Sequence, residues 1–569
     1  MSLLTLDGCH IIPPVPALLA LLLVTILPAV SAAQGTGESI TEEAIREAEQ
    51  ILGLEFTPAE RRQLMERQLF FQDLEGLRES YGLIRAAAPD QSIVPALHFR
   101  PQPPAWTLPS TDLGPTWTHV GGVERPASLE DVAFWTLAEL AELIRTRQVT
   151  STELTRMYLD RIERYDPDVH VVVTLLEELA MEQAARADRE LAEGSYRGPL
   201  HGIPYALKDL FALEGYPTTW GATAEGFEHM QGTATVARKL EEAGAVLVAK
   251  VSLGALAWGD VWFGGQTRNP WNLEEGSSGS SAGSAAAVSA GLVPFAIGTE
   301  TWGSIVSPSS TTGVTGLRPT FGRVSRAGGM AVSWSMDKAG PICRAVEDCG
   351  MVLDAIRGSD GVDRSTVDAP FNYTPGVDWS ALTVGYLAAA FEGDDPSSVL
   401  DRATFDVFRS LGARLVPIAL PDRPIDALSL ILGAEAAASF DVLTRTGLDD
   451  QLPRQLADAW PNVLRTARFI PAAEYIQANR LRTQLGQDMA EIMSDVDVYL
   501  APQRGSNSLF TNLTGHPAIS LPNGFTDPIS PNAITIVGRL YDEATLLAVA
   551  RAYQEATDFH RGHPPRFAR

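Results

Sequence analysis

The run from Gly276 to Thr312, GSSGSSAGSAAAVSAGLVPFAIGTETWGSIVSPSSTT, constrains this chain more than any other stretch. Its Gly and Ser content is that of a flexible linker, yet a linker carries no apolar periodicity. Here SAAAVSAG reads as a small-residue helix and VPFAIG as a short apolar strand, bracketed by Ser/Gly turns around Ser280 and Ser304. Such a unit can fold back so that its two turns meet. Glycine lets main-chain N–H groups come close to a bound atom, and closely spaced N–H groups stabilise a developing oxyanion. A Ser-rich core loop would have the same composition, so the rest of the chain has to decide between the two.

The wider pattern does so. GSSAGSAAA followed by GTETWGSIVSP, with GIPYALKDLF upstream, resembles the amidase signature family of serine hydrolases. The resemblance runs on through TRNPWN, GLRPTFGRVSR, SMDKAGPICRAVEDC, NLTGHPAISLPNGF and GRLYDEATLLAVARAYQEAT, in order, over roughly residues 131–565. It implies a Ser–Ser–Lys triad whose middle serine follows a cis peptide bond. Residue by residue, the nucleophile falls on Ser304, the bridging serine on Ser280 and the lysine on Lys208; the two serines stand 24 positions apart. The N–H groups of Thr301, Trp302, Gly303 and Ser304 would form the oxyanion site. The implied reaction is hydrolysis of a carboxylic amide, with ester or carbamate as variants, on a small-molecule substrate and without cofactor or metal.

The residues around Lys208 fit that role independently. Tyr205-Ala206-Leu207 and Leu210-Phe211 are apolar, which would bury the amine and disfavour its charged form. A neutral lysine can act as a base in a Ser–Lys pair.

This sequence also departs from the family's usual nucleophile turn, in which Glu300, Trp302 and Val306 replace an acid, a glycine and an arginine. Trp302 would distort the turn if its φ were positive, at a cost of about 1–2 kcal/mol. The lost arginine removes an ion pair. Members that liberate ammonia from glutamine carry an Asp shortly before the Asn-Leu-x-Gly motif, and RGSNSLFTNLTG has none. That opposes the alternative reading, a glutaminase component of a tRNA-dependent amidotransferase. A formal charge of −26 and a pI near 4.8 oppose it too, because polyanion binding needs clustered Lys and Arg.

Two rival motifs remain. Gly279-Ser280-Ser281-Ala282-Gly283 fits the nucleophile elbow of a Ser-His-Asp esterase, with Ser281 as nucleophile, but NPWNLEEGSS is a poor strand to precede it. Ser335-Met336-Asp337-Lys338 fits S-x-x-K without the downstream motifs that normally accompany it.

The rest of the chain frames this centre. Residues 1–33 read as a secretory signal peptide, with an apolar run from Ala17 to Val30 and small residues Val30 and Ala32 before a cleavage point. A secreted or periplasmic protein follows, with no stable membrane span after cleavage. The leader lacks an N-terminal Lys or Arg; a mis-assigned start codon would make the protein cytoplasmic.

Residues 34–130 form a helical, then Pro-rich, extension. Thr41 caps one helix, and Thr57-Pro58 starts another that the pattern carries through to Ile84. The Pro-rich segment after it is expected as an arm over the surface, covering the active-site mouth or serving a homodimer contact.

Residues 131–569 alternate helix and strand, predicting an α/β fold with helices on both faces of a largely parallel sheet. The family resemblance instead implies a large, twisted, mixed sheet. The helix-rich residues 420–490 resemble the family least and are where substrate choice is expected. Cys343 and Cys349 are expected as free thiols on different faces of one helix. No metal-ligand spacing is present, and the Asn372 and Asn512 sequons read as incidental.

Overall fold

The computed structural model describes residues 39–568 apart from 69–70, 88–95, 98, 104–106, 109–110, 223–231 and 504. The expected signal peptide lies outside the described residues. Among those described, no helix is long and apolar enough to cross a membrane.

An 11-stranded sheet organises the chain. Its strands are β1 (Val172–Leu175), β2 (Pro204–Lys208), β3 (Val246–Val251), β4 (Phe295–Glu300), β5 (Thr315–Arg318), β6 (Lys338–Cys343), β7 (Thr383–Leu387), β8 (Arg414–Ile418), β9 (Val498–Pro502), β10 (Ala518–Asp527) and β11 (Ser530–Gly538). The spatial order is β1-β3-β2-β4-β6-β5-β10-β11-β9-β7-β8. Pairing is parallel for β3–β2, β2–β4, β9–β7 and β7–β8. It is antiparallel at the six other junctions. The expectation of a largely parallel sheet is therefore corrected: the sheet is mixed, as the resemblance implied. Helix–strand alternation fixes parallel pairing only where the crossover returns to a neighbouring strand, and here β4, β6 and β5 run antiparallel through the centre.

Both faces of the sheet are covered. Tyr205, Leu207, Leu247, Phe295 and Ile297 belong to one apolar cluster, whereas Ala206, Val246, Val248 and Ala296 belong to the other. Alternate residues of a strand point to opposite faces, so apolar residues at successive positions require two helical layers. Lys208 continues the Ala206 side of β2. The helix Ala282–Ser289 packs on that side, and all of its residues are buried. Its run of Ala, Gly and Ser lets the helix backbone approach the sheet closely.

The extension holds three helices, α1 (Glu42–Leu52), α2 (Pro58–Leu64) and α3 (Leu74–Ala87). Thr41 caps α1 by accepting the Ala44 N–H at 3.2 Å, and Thr57 with Glu60 forms a capping box on α2. The long helix expected from Pro58 through Ile84 breaks between Leu64 and Leu74. Asp73 explains the restart: its Oδ1 accepts the Gly76 N–H at 2.7 Å, and its carbonyl accepts the Leu77 N–H. The described parts of the Pro-rich segment form no helix or strand. They lie over the surface, with Phe99 against Phe321 and beneath the Arg482 guanidinium.

Cys343 ends β6 and Cys349 lies in the helix Val346–Ile356, so the two do not share a helix as expected. Both are free thiols and buried. Asn512 is wholly buried, which rules its sequon out as a surface acceptor.

Candidate active site

β2 and β4 are adjacent and parallel, so their C-terminal ends emerge side by side. Lys208 is the last residue of β2, and Glu300, the last of β4, leads directly into the turn that carries Ser304. The N-terminus of the Ala282–Ser289 helix meets the same edge, bringing Ser280 and Ser281 to Lys208. The peptide bond between Gly279 and Ser280 is cis. Gly279 lies against the Gly259 backbone so closely that a Cβ there would stand 1.9 Å from the Gly259 carbonyl oxygen.

Lys208 is fully buried. Its Nζ is 2.9 Å from Ser280 Oγ, 3.0 Å from Ser281 Oγ and 2.9 Å from Thr299 Oγ1. Burial lowers its pKa to about 7, with the carboxylates of Asp337 and Glu300 pulling in the other direction. The three neighbours suit a neutral amine, which has two N–H donors and one lone pair. Ser281 donates its proton to the Thr299 carbonyl at 3.0 Å and accepts the Thr299 N–H at 3.1 Å, so toward Lys208 it acts as acceptor. Thr299 Oγ1 takes the second N–H. The lone pair is left to face the Ser280 hydroxyl.

Ser304 stands on the other side of this pair. Its carbonyl accepts the Ser281 N–H at 3.1 Å, and its side chain opens into a cavity of about 540 Å³. Its hydroxyl has no hydrogen-bond partner among the described residues. The structure thus brings Lys208 onto Ser280, and the Ser281 N–H ties this turn to Ser304, while no hydrogen bond joins the Ser280 and Ser304 hydroxyls. Ser281, the rival nucleophile, is fully buried and fully engaged, with its only proton committed to a main-chain carbonyl. Ser335, in the S-x-x-K match, donates to Glu435 and accepts from Arg482 rather than meeting Lys338.

The turn from Thr301 to Ser304 is held by Glu300. One carboxylate oxygen accepts the Ile305 and Val306 N–H groups at 2.8 and 3.0 Å, folding the chain back on itself. The other oxygen pairs with Arg318 at 2.7 Å and accepts from the Asn512 amide at 2.9 Å. Burial would raise this carboxyl's pKa; Arg318 and Lys338 nearby overcome it and hold the group at about 2. Glu300 thus has a buried ion-pair partner, Arg318 from β5. The left-handed residue of the turn is Gly303, at φ 84°; Trp302 is not at positive φ, so the distortion expected of it does not arise. The Thr301 hydroxyl donates to Asp337 at 2.6 Å. The main-chain N–H groups of Thr301, Trp302, Gly303 and Ser304 donate to no acceptor among the described residues.

Sequence reasoning missed Thr299, Asp337, Arg318 and Asn512. All four lie within motifs that carry the family resemblance, but nothing in those motifs says which side chains meet at the site. The region expected to govern substrate choice does reach the cavity, through Leu432, Arg454, Asp458 and Trp460.

Comparison with known proteins identifies the family. A family model described as Amidase matches residues 153–508. The A component of the glutamyl-tRNA(Gln) amidotransferase of Methylococcus capsulatus is 35% identical over 478 residues, covering 75% of this chain and 98% of that protein. Its counterpart in Pseudomonas syringae pv. tomato is 35% identical over 76% of this chain and 99% of its own length. Among solved structures, the native peptide amidase from Stenotrophomonas maltophilia superposes with a TM-score of 0.66 at 30% identity, covering 77% of this chain and 99% of that one. The sheet, the Gly/Ser-rich turns and these matches converge: the chain belongs to the amidase signature family.

Proposed function

We propose that this protein hydrolyses carboxylic amides through an acyl-enzyme on Ser304. The observation that carries the reading is a buried lysine, with its pKa lowered to about 7, set 2.9 Å from Ser280 beside a free serine hydroxyl in a cavity. In this mechanism Ser304 Oγ attacks the carbonyl carbon as its proton passes to Ser280, whose own proton passes to Lys208. The four free N–H groups from Thr301 to Ser304 receive the oxyanion. When the C–N bond breaks, the relay runs backwards and protonates the leaving amine. Water then takes the place of the amine, and deacylation follows the same path.

A second reading shares this chemistry. The curated relatives named above are amidotransferase components, and their match over nearly their whole length favours an ammonia-releasing component that works with protein partners. The net charge of −26 and the missing acid before Asn512 favour the stand-alone hydrolase.

The test is to purify the full chain alone and assay simple amides without ATP or magnesium. Turnover, with a fluorophosphonate label on Ser304 and loss of both in Ser304→Ala, supports the hydrolase. Activity only on glutamine, and only with a co-purifying partner, would overturn it. Export of the mature chain is likewise proposed from the leader, and N-terminal sequencing of the cellular protein decides it.

A further inference from the structure

We propose that the N-terminal extension builds one wall of the catalytic cavity, and that Phe71 on it selects amides bearing a flat aryl group. The inference rests on the cavity beside Ser304 being the substrate site.

Phe71 lines that cavity although it lies well outside residues 153–508, the span matched by the family model. Its ring stands 5.2 Å from Trp258, edge to face, 5.9 Å from Trp460 and 6.3 Å from Trp302. Trp258 and Trp460 are 5.2 Å apart, so the rings form one connected wall. Trp302 is two residues from Ser304 and replaces the glycine of the usual family turn, which places this aromatic surface next to the acyl position. Rings at these distances and tilts offer edges and faces to another ring.

The wall is fixed rather than laid on. Leu64, Leu74, Leu77 and Ile84 are buried in the main core. Glu60 pairs with Arg465 at 2.6 Å, the Gln63 carbonyl accepts from Asn462 at 3.0 Å, and Tyr81 donates to the Phe469 carbonyl at 3.2 Å. Arg85 pairs with Glu474 at 2.7 Å. Phe71 thus sits between two anchored helices. Of the cavity's three charged side chains, Asp260 and Arg454 are already engaged, whereas one carboxylate oxygen of Asp458 is buried without a hydrogen-bond partner among the described residues. Asp260 accepts the Ser278 N–H and a Gln266 amide proton, while Arg454 donates to the Asp458 carbonyl and lies 5.8 Å from the Trp258 ring. The connected rings of Phe71, Trp258, Trp460 and Trp302 supply the aryl recognition.

The experiment compares kcat/KM for two matched pairs, benzamide against propionamide and acetanilide against N-propylacetamide, on the full chain. The wild type should prefer the aryl member of at least one pair. Phe71→Ala should lower that aryl-to-alkyl ratio by on the order of tenfold or more, the scale set by losing contact with one ring, and Phe71→Leu should fall between. An unchanged ratio in both variants overturns the proposal, as does a wild type with no aryl preference. Should no amide be turned over, benzamide and propionamide are titrated against tryptophan fluorescence. Tighter benzamide binding that weakens in Phe71→Leu upholds the aryl wall while refuting the hydrolase; equal binding of the two probes refutes the wall.

Discussion

Acidification should switch this enzyme off through Lys208. The folded-state pKa of about 7 lies about 3.5 below the ordinary 10.5 of a lysine, a difference equivalent to about 5 kcal/mol. If the neutral amine is the base, its fraction at pH 5 is on the order of 1%. The kcat/KM for an unactivated amide should then fall about 100-fold from its plateau, along a slope of one decade per pH unit.

The same shift has a consequence for stability, with a definite sign. Because the folded pKa is below the unfolded one, the unfolded chain binds the extra proton between pH 7 and 10.5. The penalty of burying Lys208 is fully present below pH 7 and disappears as pH rises through that window. Lys208→Met removes the penalty but also forfeits hydrogen bonds to Ser280, Ser281 and Thr299, worth about 1 kcal/mol each. The variant should be inactive, more stable than wild type by about 2 kcal/mol at pH 7, and less stable near pH 10.5. Initial-rate profiles from pH 5 to 9 and denaturant melts at both pH values supply the test. A rate that is flat across pH 5 to 8, or a Lys208→Met variant less stable at both pH values, would refute the assignment of a neutral buried base.

Two further substitutions probe the surroundings. Glu300→Gln leaves Arg318 buried without its carboxylate and should cost about 3–5 kcal/mol at pH 7; since the Glu300 pKa is lowered to about 2, its contribution is lost as pH falls from 4.5 through 2, so melts at pH 7 should separate the two proteins more than melts at pH 3. Thr299→Val removes an acceptor that stabilises the charged lysine, so the kinetic inflection should move to lower pH, by up to about one unit; an upward move would contradict the hydrogen-bond assignment.

What the sequence made legible was local. The Gly/Ser turns, the small-residue helix between them and the strand ending at Lys208 all sit within short windows whose patterns name their structure. Whether Trp302 distorts the turn was not legible, because sequence does not tell which residue of a turn takes positive φ; Gly303, its neighbour, takes it. The break between α2 and α3 had a readable sign in Asp73 before Leu-Glu-Gly, but the flanking apolar residues kept a helical period and hid it. Strand direction was not readable where antiparallel β6 falls between β4 and β5, because pairing depends on partners distant in the chain. Phe71 was invisible for the same reason, since its ring partners lie 187 or more positions away.

The Glu300 carboxylate ties together chain segments that are far apart in sequence: the turn at 305–306, Arg318 in the centre of the sheet, and Asn512 near the C-terminal half of the fold. A loop held only by its own neighbours can fray while the body of a protein stays folded. This one cannot, because releasing it means opening a buried ion pair in the middle of the sheet. Its opening free energy should approach that of the whole domain, and the Ile305 and Val306 amides that Glu300 accepts should rank among the slowest to exchange with solvent deuterium. Heat would then inactivate such a molecule in a single all-or-none step, with no folded but silent form on the way.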